Sequence, residues 1–497
     1  VSDPVPAAKP PPRRLAVVGA GPAGLTAAYE AVRAGWTVTV LEKDPQYVGG
    51  ISRTVRHGGY RFDIGGHRFF SKSAEVTRWW RERLPDDFIE VRRMSRIFYR
   101  RRFFDYPLKP WNALSNLGFF TSLACVGSYA WARVFPRRPE VSFEDWVANR
   151  FGRRLFNIFF KTYTEKVWGI PTSELSADWA AQRIKGLSLL GAVVNALKGR
   201  PKAGDATIKT LIDTFSYPRL GPGQMWEKTA DDIRRLGGSV EMGADIAVIR
   251  HAAGKVVSLG TRAGRTVEAD QFILSMPLQE TVLALDPPPP QPVLEAARKL
   301  RYRDFLTVAL IVDGENPFPD NWIYIHEPEV RLGRIQNFKN WSEAMVGEPG
   351  TTCLGLEYFC FAGDGLWTSG DASLIELGKR ELVQLGLVKA SQVRGGAVVR
   401  VEKAYPVYDS GYRENVETIR GELEKLSNVR VVGRNGMHKY NNQDHSMMTA
   451  ILAVRNLEGA NFNLWNVNSD AEYHEGAVGE DTTGRQMPRA VDRSASP

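Results

Sequence analysis

The most constraining feature of the chain lies near its start. Residues 15–18 form a short apolar run that leads into Gly19-Ala20-Gly21-Pro22-Ala23-Gly24, after which a helical pattern continues to Ala34 and stops at Gly35. A second apolar run, residues 37–41, ends in Glu42, which stands 23 residues after Gly19. Strand, glycine turn, helix, strand and acid in this order predict a dinucleotide-binding unit. Gly19 makes the tight turn, Gly21 lets the backbone approach a pyrophosphate, and Gly24 lets the helix pack closely on the sheet. The helix N-terminus offers free N–H groups to phosphate, and Glu42 is placed to take ribose hydroxyls. This strand also accounts for the apolar run after Arg13-Arg14, which could otherwise be read as a twin-arginine export signal.

At 497 residues the chain is too long for one ordinary core, so two or three domains are expected. With 43% hydrophobic and 24% charged residues, it is neither a disordered protein nor a disulfide-stapled miniprotein. Its formal charge of +9 points to an anionic ligand or surface. Six of the arginines, Arg92, Arg93, Arg96, Arg100, Arg101 and Arg102, fall in one stretch that reads as a hairpin with its turn near Arg100 to Arg102. No nucleic-acid module accompanies this hairpin, so nucleic acid is not an expected partner. Cys125, Cys353 and Cys360 provide no disulfide framework. Cys353 and Cys360 fall on opposite faces of one predicted strand, no metal site is expected, and a reducing cytoplasm is the simplest reading. The uncharged stretch 114–132 holds too many Ser, Asn, Thr and Gly to predict a membrane span. A buried helix is the first reading there, with membrane-surface contact as an alternative.

Gly49-Gly50, with Arg53 shortly after, is similar to the second glycine pair of the glutathione-reductase-like flavoproteins, which favours FAD over NAD. Gly65-Gly66-His67 supplies a further glycine pair suited to close approach to a flat ring system. Residues 111–197 look like a helical, aromatic-rich insertion. Pro287 to Pro290 mark a boundary, and strand patterns dominate residues 305–312 and 333–361. The expected fold is α/β: a Rossmann-like FAD-binding domain of glutathione-reductase type with an inserted helical domain and an antiparallel β-sheet domain. The FAD-binding domain is drawn from 13–91, 205–285 and 400–475. Residues 92–204 form the basic hairpin and helical cap, and 291–399 the sheet. A leader at 1–12, with five prolines, is expected to be flexible and a tail at 476–497 disordered.

Over about residues 13–475 the chain resembles the UDP-galactopyranose mutases, within the wider group that holds protoporphyrinogen oxidase, carotenoid desaturases and amine oxidases. Four segments carry the resemblance: Gly66-His67-Arg68-Phe69; Tyr163-Thr164-Glu165-Lys166-Val167-Trp168; Arg334-Ile335-Gln336-Asn337-Phe338-Lys339; and Gly433-Arg434-Asn435-Gly436 with Tyr440. Glu357-Tyr358 and Tyr405-Pro406-Val407 add weaker similarity. The resemblance implies a flavin-dependent isomerase that interconverts pyranose and furanose forms of a nucleotide-diphosphate sugar, through attack of reduced-flavin N5 on the anomeric carbon. It implies catalytic roles for His67, Arg334 and Arg183, the last adjacent to Gln182, where strict spacing would put the arginine. It also implies cofactor contacts from Gly19, Gly21, Gly24, Glu42, Gly49, Gly50, Arg53, Gly66, Gly433, Arg434 and Asn442. Substrate contacts would come from Tyr163, Thr164, Trp168, Tyr358, Tyr405 and Tyr440. Asn442 stands where the mutases carry an acid. A flavin reductant such as NADPH is compatible with this chemistry, and the oligomeric state is left open. The alternative is an FAD-dependent oxidase or desaturase of the amine-oxidase group, and a non-enzymatic flavin-binding role is a third reading.

Overall fold

The structure is a computed structural model that describes residues 13–468 apart from 107, 109, 178, 181–213 and 315. The leader, the tail and the candidate Arg183 lie outside the described residues. The fold is α/β, with one parallel sheet, two mixed sheets that are mainly antiparallel, and two short antiparallel pairs among the described residues.

The glycine-rich motif sits in a five-stranded parallel sheet ordered Val429–Val431, Gln271–Leu274, Arg14–Val18, Thr37–Glu42 and Ser239–Met242. Its strands come from three separated stretches of chain. They are apolar on both faces because helices cover the sheet. Pro22–Arg33 starts with Pro at its first position, carries no capping side chain on Gly21, and ends before Gly35 at φ +85°. It packs against Gly223–Arg235 and Gln443–Leu457. The last of these ties back to the sheet through Thr449 Oγ1, which accepts the Gly433 N–H at 3.0 Å.

A seven-stranded sheet forms the second body, in the order Val393–Pro406, Tyr302–Asp313, Thr351–Cys360, Arg334–Asn337, Trp322–Ile325, Ser95–Tyr99 and Arg102–Asp105. The basic hairpin, grouped by sequence with the helical cap, is hydrogen-bonded into this sheet instead, through parallel pairing of Ser95–Tyr99 with Trp322–Ile325. Its turn places Arg100 and Arg101 at φ +50° and +56°. Arg96 does not face solvent freely. Its guanidinium forks onto buried Asp320 at 2.9 and 2.6 Å. One face of the sheet packs under the helix Asp371–Gln384, burying Leu306, Val308, Leu354, Leu356 and Tyr358. The other face, with Phe305, Cys353 and Phe359, meets the hairpin Thr54–His57 and Tyr60–Asp63. Cys353 and Cys360 thus fall on opposite faces, as the strand period requires.

The helical segment is fastened by polar groups at its ends. Ser142 and Asp145 form a reciprocal cap on Phe143–Phe151. Buried Arg303 closes the C-terminal turn of Thr162–Trp168, donating to the carbonyls of Val167 at 2.9 Å, Lys166 at 3.2 Å and Phe359 at 3.0 Å. Gly169, at φ +67°, is required here because a Cβ would stand 2.4 Å from Arg303 Nη1. Lys166 donates to the Leu332 carbonyl at 3.2 Å, so it joins this helix to the sheet. Among the described residues, no helix is long and apolar enough to cross a membrane.

Candidate functional site

The dinucleotide cradle is built by backbone contacts. The Gly49 N–H donates to Ala20 O at 2.8 Å, which folds the second glycine pair over the first. A Cβ on Gly50 would lie 3.3 Å from the Gly21 Cα, while Gly21 itself has nothing closer than Gly50 Cα at 3.8 Å. Gly24 has no such room, since a Cβ there would be 1.8 Å from Gly19 O. Gly433, at φ +84°, packs on the helix's first turn with Ala23 Cβ only 2.9 Å from its own would-be Cβ. Glu42 accepts from the Ala20 N–H at 2.6 Å and the Asp44 N–H at 2.9 Å, leaving lone pairs on both oxygens for ribose hydroxyls. Burial pushes this carboxyl above its ordinary range, against the pull of those two N–H groups. Arg53 pairs with Asp44 at 2.8 Å and keeps a buried Nε with no partner among the described residues. An uncapped helix N-terminus, a glycine cradle and an orphaned guanidinium donor fit a dinucleotide diphosphate.

Asn442 opens the helix Gln443–Leu457, and its N–H donates to His445 Nδ1 at 3.3 Å. Gly66 makes room for Trp322, whose ring would lie 2.0 Å from a Cβ there. The close approach read from the glycine pair is therefore, at Gly66, an approach of protein to protein.

Beside this cradle stand two guanidinium groups, Arg334 on a strand of the seven-stranded sheet and Arg434 in the turn that follows Val429–Val431. Arg334 pairs with fully buried Glu357 at 2.7 Å and donates through Nη2 to the Tyr405 hydroxyl at 3.1 Å. Its Nε is buried with no hydrogen-bond partner among the described residues. Gln336 Nε2 donates to the other Glu357 oxygen at 2.6 Å. Burial drives the Glu357 carboxyl upward while Arg334 opposes it, and Arg334 stays protonated. Arg434 is held by backbone carbonyls, Asn441 O at 2.8 Å and Ala404 O at 3.4 Å. Its guanidinium lies 4.8 Å from the Tyr440 ring and 5.5 Å from the Tyr405 ring, and those two rings stack at 5.8 Å. His67 feels both cations. Burial first, then Arg434 and Arg334, bring it down to about 4 against the opposing Gly65 carbonyl. At neutral pH the imidazole is therefore uncharged. Its Nδ1 lies 2.9 Å from Gly65 O, so the proton belongs on Nδ1 and Nε2 is an acceptor.

The remaining expected contacts divide. Tyr163 faces this region, stacked on His326 at 4.8 Å and edge-on to Tyr324 at 5.6 Å. Trp168 is only 3% exposed and enclosed by Trp179 at 4.6 Å, Tyr405 at 6.2 Å and Tyr440 at 6.2 Å, so it buttresses the tyrosine pair rather than offering a face to a base. Thr164 is buried within its helix. Tyr358 is misplaced by the sequence reading: strand alternation turns Glu357 toward Arg334 and Tyr358 into the core beneath Asp371–Gln384. Glu357 and Gln336 are the residues that reading missed. A lone carboxylate in an otherwise apolar strand was their available signal.

Buried His326 and His438 provide a pH test of this packing. Burial lowers them to about 3 and about 4, from an ordinary 6.5. The unfolded chain therefore takes protons first on acidification, and the associated stability is full above pH 6.5 and lost as pH falls toward those values. Each histidine contributes a slope of about 1.4 kcal/mol per pH unit in that window. Denaturant midpoints measured from pH 6.5 to 4.5 should fall less steeply for His438→Gln than for the wild type, and equal slopes would contradict the burial.

Comparison with known proteins agrees with this architecture. Residues 22–384 match the family described as flavin containing amine oxidoreductase. An L-glutamate oxidase precursor from Streptomyces viridosporus is 51% identical over 49 residues, a stretch that spans 10% of this chain and 7% of that protein. A reduced UDP-galactopyranose mutase superposes with a TM-score of 0.76 at 22% identity, covering 90% of this chain and 96% of that one. Putrescine oxidase bound to putrescine gives 0.59 at 17% identity, covering 90% and 99%. A fatty acid isomerase from P. acnes gives 0.59 at 16% identity, covering 89% and 98%. At these identities the superpositions show a shared fold.

Proposed function

Because the chain belongs to the flavin containing amine oxidoreductases, we propose that it is an FAD enzyme whose substrate is a nucleotide-diphosphate sugar and whose reaction is pyranose–furanose isomerisation. The observation that carries this reading is the convergence of Arg334 and Arg434 on one tyrosine pair beside His67. With Glu357 counted, the three groups leave one positive charge at a partly desolvated site. Such a site favours a diphosphate and disfavours the ammonium of an amine substrate. The unpartnered Nε of Arg334 is a donor waiting for an acceptor, which a phosphate oxygen supplies.

The bound flavin, when reduced, supplies the N5 nucleophile. The chain's own groups do the rest. Arg334 and Arg434 hold the diphosphate and balance the charge that grows on it as a leaving group. The Tyr405 hydroxyl, fixed by Arg334, positions that group, and the stacked Tyr405–Tyr440 pair excludes water above it. His67, neutral and accepting at Nε2, orients a donor on the flavin side.

Equilibrium titration of the oxidised holoprotein with UDP tests the site without turnover. Arg434→Gln should weaken binding by about tenfold or more, since a charge-assisted hydrogen bond contributes about 1.5–3 kcal/mol. A diamine should not compete. Tight diamine binding with peroxide release, and no affinity for UDP, would replace this reading with the oxidase.

A further inference from the structure

The helix Phe119–Val134 is built inside out. Its small and polar residues face the protein: Cys125 is buried, Ser128 Oγ accepts the Arg154 N–H at 3.1 Å, and Gly152, at φ +81°, lies so close that a Cβ would meet Tyr129 N at 2.7 Å. Its large apolar residues face outward. Phe119, Phe120, Leu123, Trp131, Val134 and the following Phe135 are all exposed, with Phe120 at 84% and Trp131 at 67%. Their spacing puts them on one helical stripe, the reverse of the usual arrangement on a globular protein. A contiguous exposed patch of this kind marks an interaction surface.

The surroundings of the patch say what covers it. Arg133 stands in the last turn of this helix and Arg154 is tied to it through Ser128, and neither has a carboxylate partner among the described residues. The basic hairpin adjoins its start, since Arg102 Nη1 donates to Asn116 O at 2.8 Å and Asn116 Nδ2 donates to Phe103 O at 3.1 Å, three residues before Phe119. The exposed Arg100 and Arg101 at that turn extend the positive rim; the Arg101 backbone N–H donates to Glu327 at 2.9 Å and its Nη2 to the Gln384 carbonyl at 3.2 Å, so neither guanidinium is neutralised by a carboxylate among the described residues. Two copies joined through this face in an isologous pair would bring these arginines together. An anionic bilayer accepts both the apolar stripe and its basic rim.

We propose that this helix and the basic hairpin form a docking surface for an anionic phospholipid membrane, with the helix lying in the interface and the arginines at headgroup level. At 16 residues the helix reaches about 24 Å, too short to span the hydrocarbon core. It lies on the membrane, and Arg100, Arg101 and Arg102 of the basic hairpin acquire a function there. The docking is independent of the substrate at the flavin site.

Flotation of the holoprotein with vesicles tests this directly. It should bind vesicles of phosphatidylcholine containing about one-third phosphatidylglycerol, with raised salt or omission of phosphatidylglycerol weakening binding about tenfold. Phe119→Ser/Phe120→Ser/Trp131→Ser should abolish binding, and Arg100→Ser/Arg102→Ser should weaken it several-fold on the anionic vesicles alone. Flavin content equal to wild type checks that each variant is folded, since Phe119, Phe120 and Trp131 touch other exposed rings of the same helix and Phe135, and Arg100 lies over the Tyr99 ring. Absence of binding to either vesicle, or equal binding by the triple apolar variant, would overturn the proposal. So would a dimer in light scattering that the triple variant converts to monomer, without vesicle binding, because the face would then join two copies.

Discussion

Arg334→Ala should destabilise the fold by about 3–5 kcal/mol, the usual penalty for leaving one partner of a buried ion pair uncompensated. Glu357 is completely buried, and without Arg334 only Gln336 Nε2, at 2.6 Å, would remain to meet its charge. The same substitution should also remove UDP affinity. The two effects are separable, because a buried pair replaced as a pair by apolar residues of similar volume restores most of the stability. Arg334→Met/Glu357→Leu should therefore regain the wild-type unfolding free energy, from denaturant titration, to within about 1.5 kcal/mol and still fail to bind UDP. If the double variant bound UDP normally, Arg334 would be a structural residue only.

The glycine motif makes an equally large prediction with an internal control. Gly24→Ala forces a Cβ to within 1.8 Å of the Gly19 carbonyl, a backbone atom that cannot move aside without opening the turn. Overpacking of this kind costs about 1–3 kcal/mol or more, and flavin should be lost with the turn. Gly21→Ala meets no atom nearer than 3.8 Å, so the protein should fold with near-normal stability. Its new methyl would instead enter the gap toward Gly50, where this motif needs the backbone bare for a pyrophosphate, and flavin content per chain should fall to about one-tenth. Chemical denaturation and the flavin absorbance of the purified variants check both. Retained stability in Gly24→Ala would show that the turn relaxes, contrary to the packing.

Much of this was legible because it is local. The parallel strands Arg14–Val18 and Thr37–Glu42, the turn between them and the helix Pro22–Arg33 are encoded by neighbouring residues, and the hairpin at Arg100 and Arg101 by simple alternation. What escaped depends on distant partners. Nothing near Ser95–Tyr99 announces a parallel pairing with Trp322–Ile325, more than two hundred residues on. Likewise Arg303 reveals its role as a helix closure only when Thr162–Trp168 is brought against its strand. Motif similarity alone points to Tyr358, whereas strand phase points to Glu357. The apolar Leu354, Leu356 and Cys360 on the same face already placed Tyr358 in the core. Trp168 illustrates the other limit: the motif places an aromatic residue, but only the fold shows that its ring is enclosed by Trp179, Tyr405 and Tyr440.

The central claim is the reaction, and one measurement addresses it most directly. The holoprotein, with its flavin chemically reduced under anaerobic conditions, is incubated with UDP-galactose and with a panel of other nucleotide hexoses, and the products are separated. The predicted result is an isomeric nucleotide sugar that forms only with reduced flavin and consumes no stoichiometric reductant. Stoichiometric oxidation of a substrate by the oxidised enzyme, with peroxide released and no isomer at any nucleotide sugar, would contradict it.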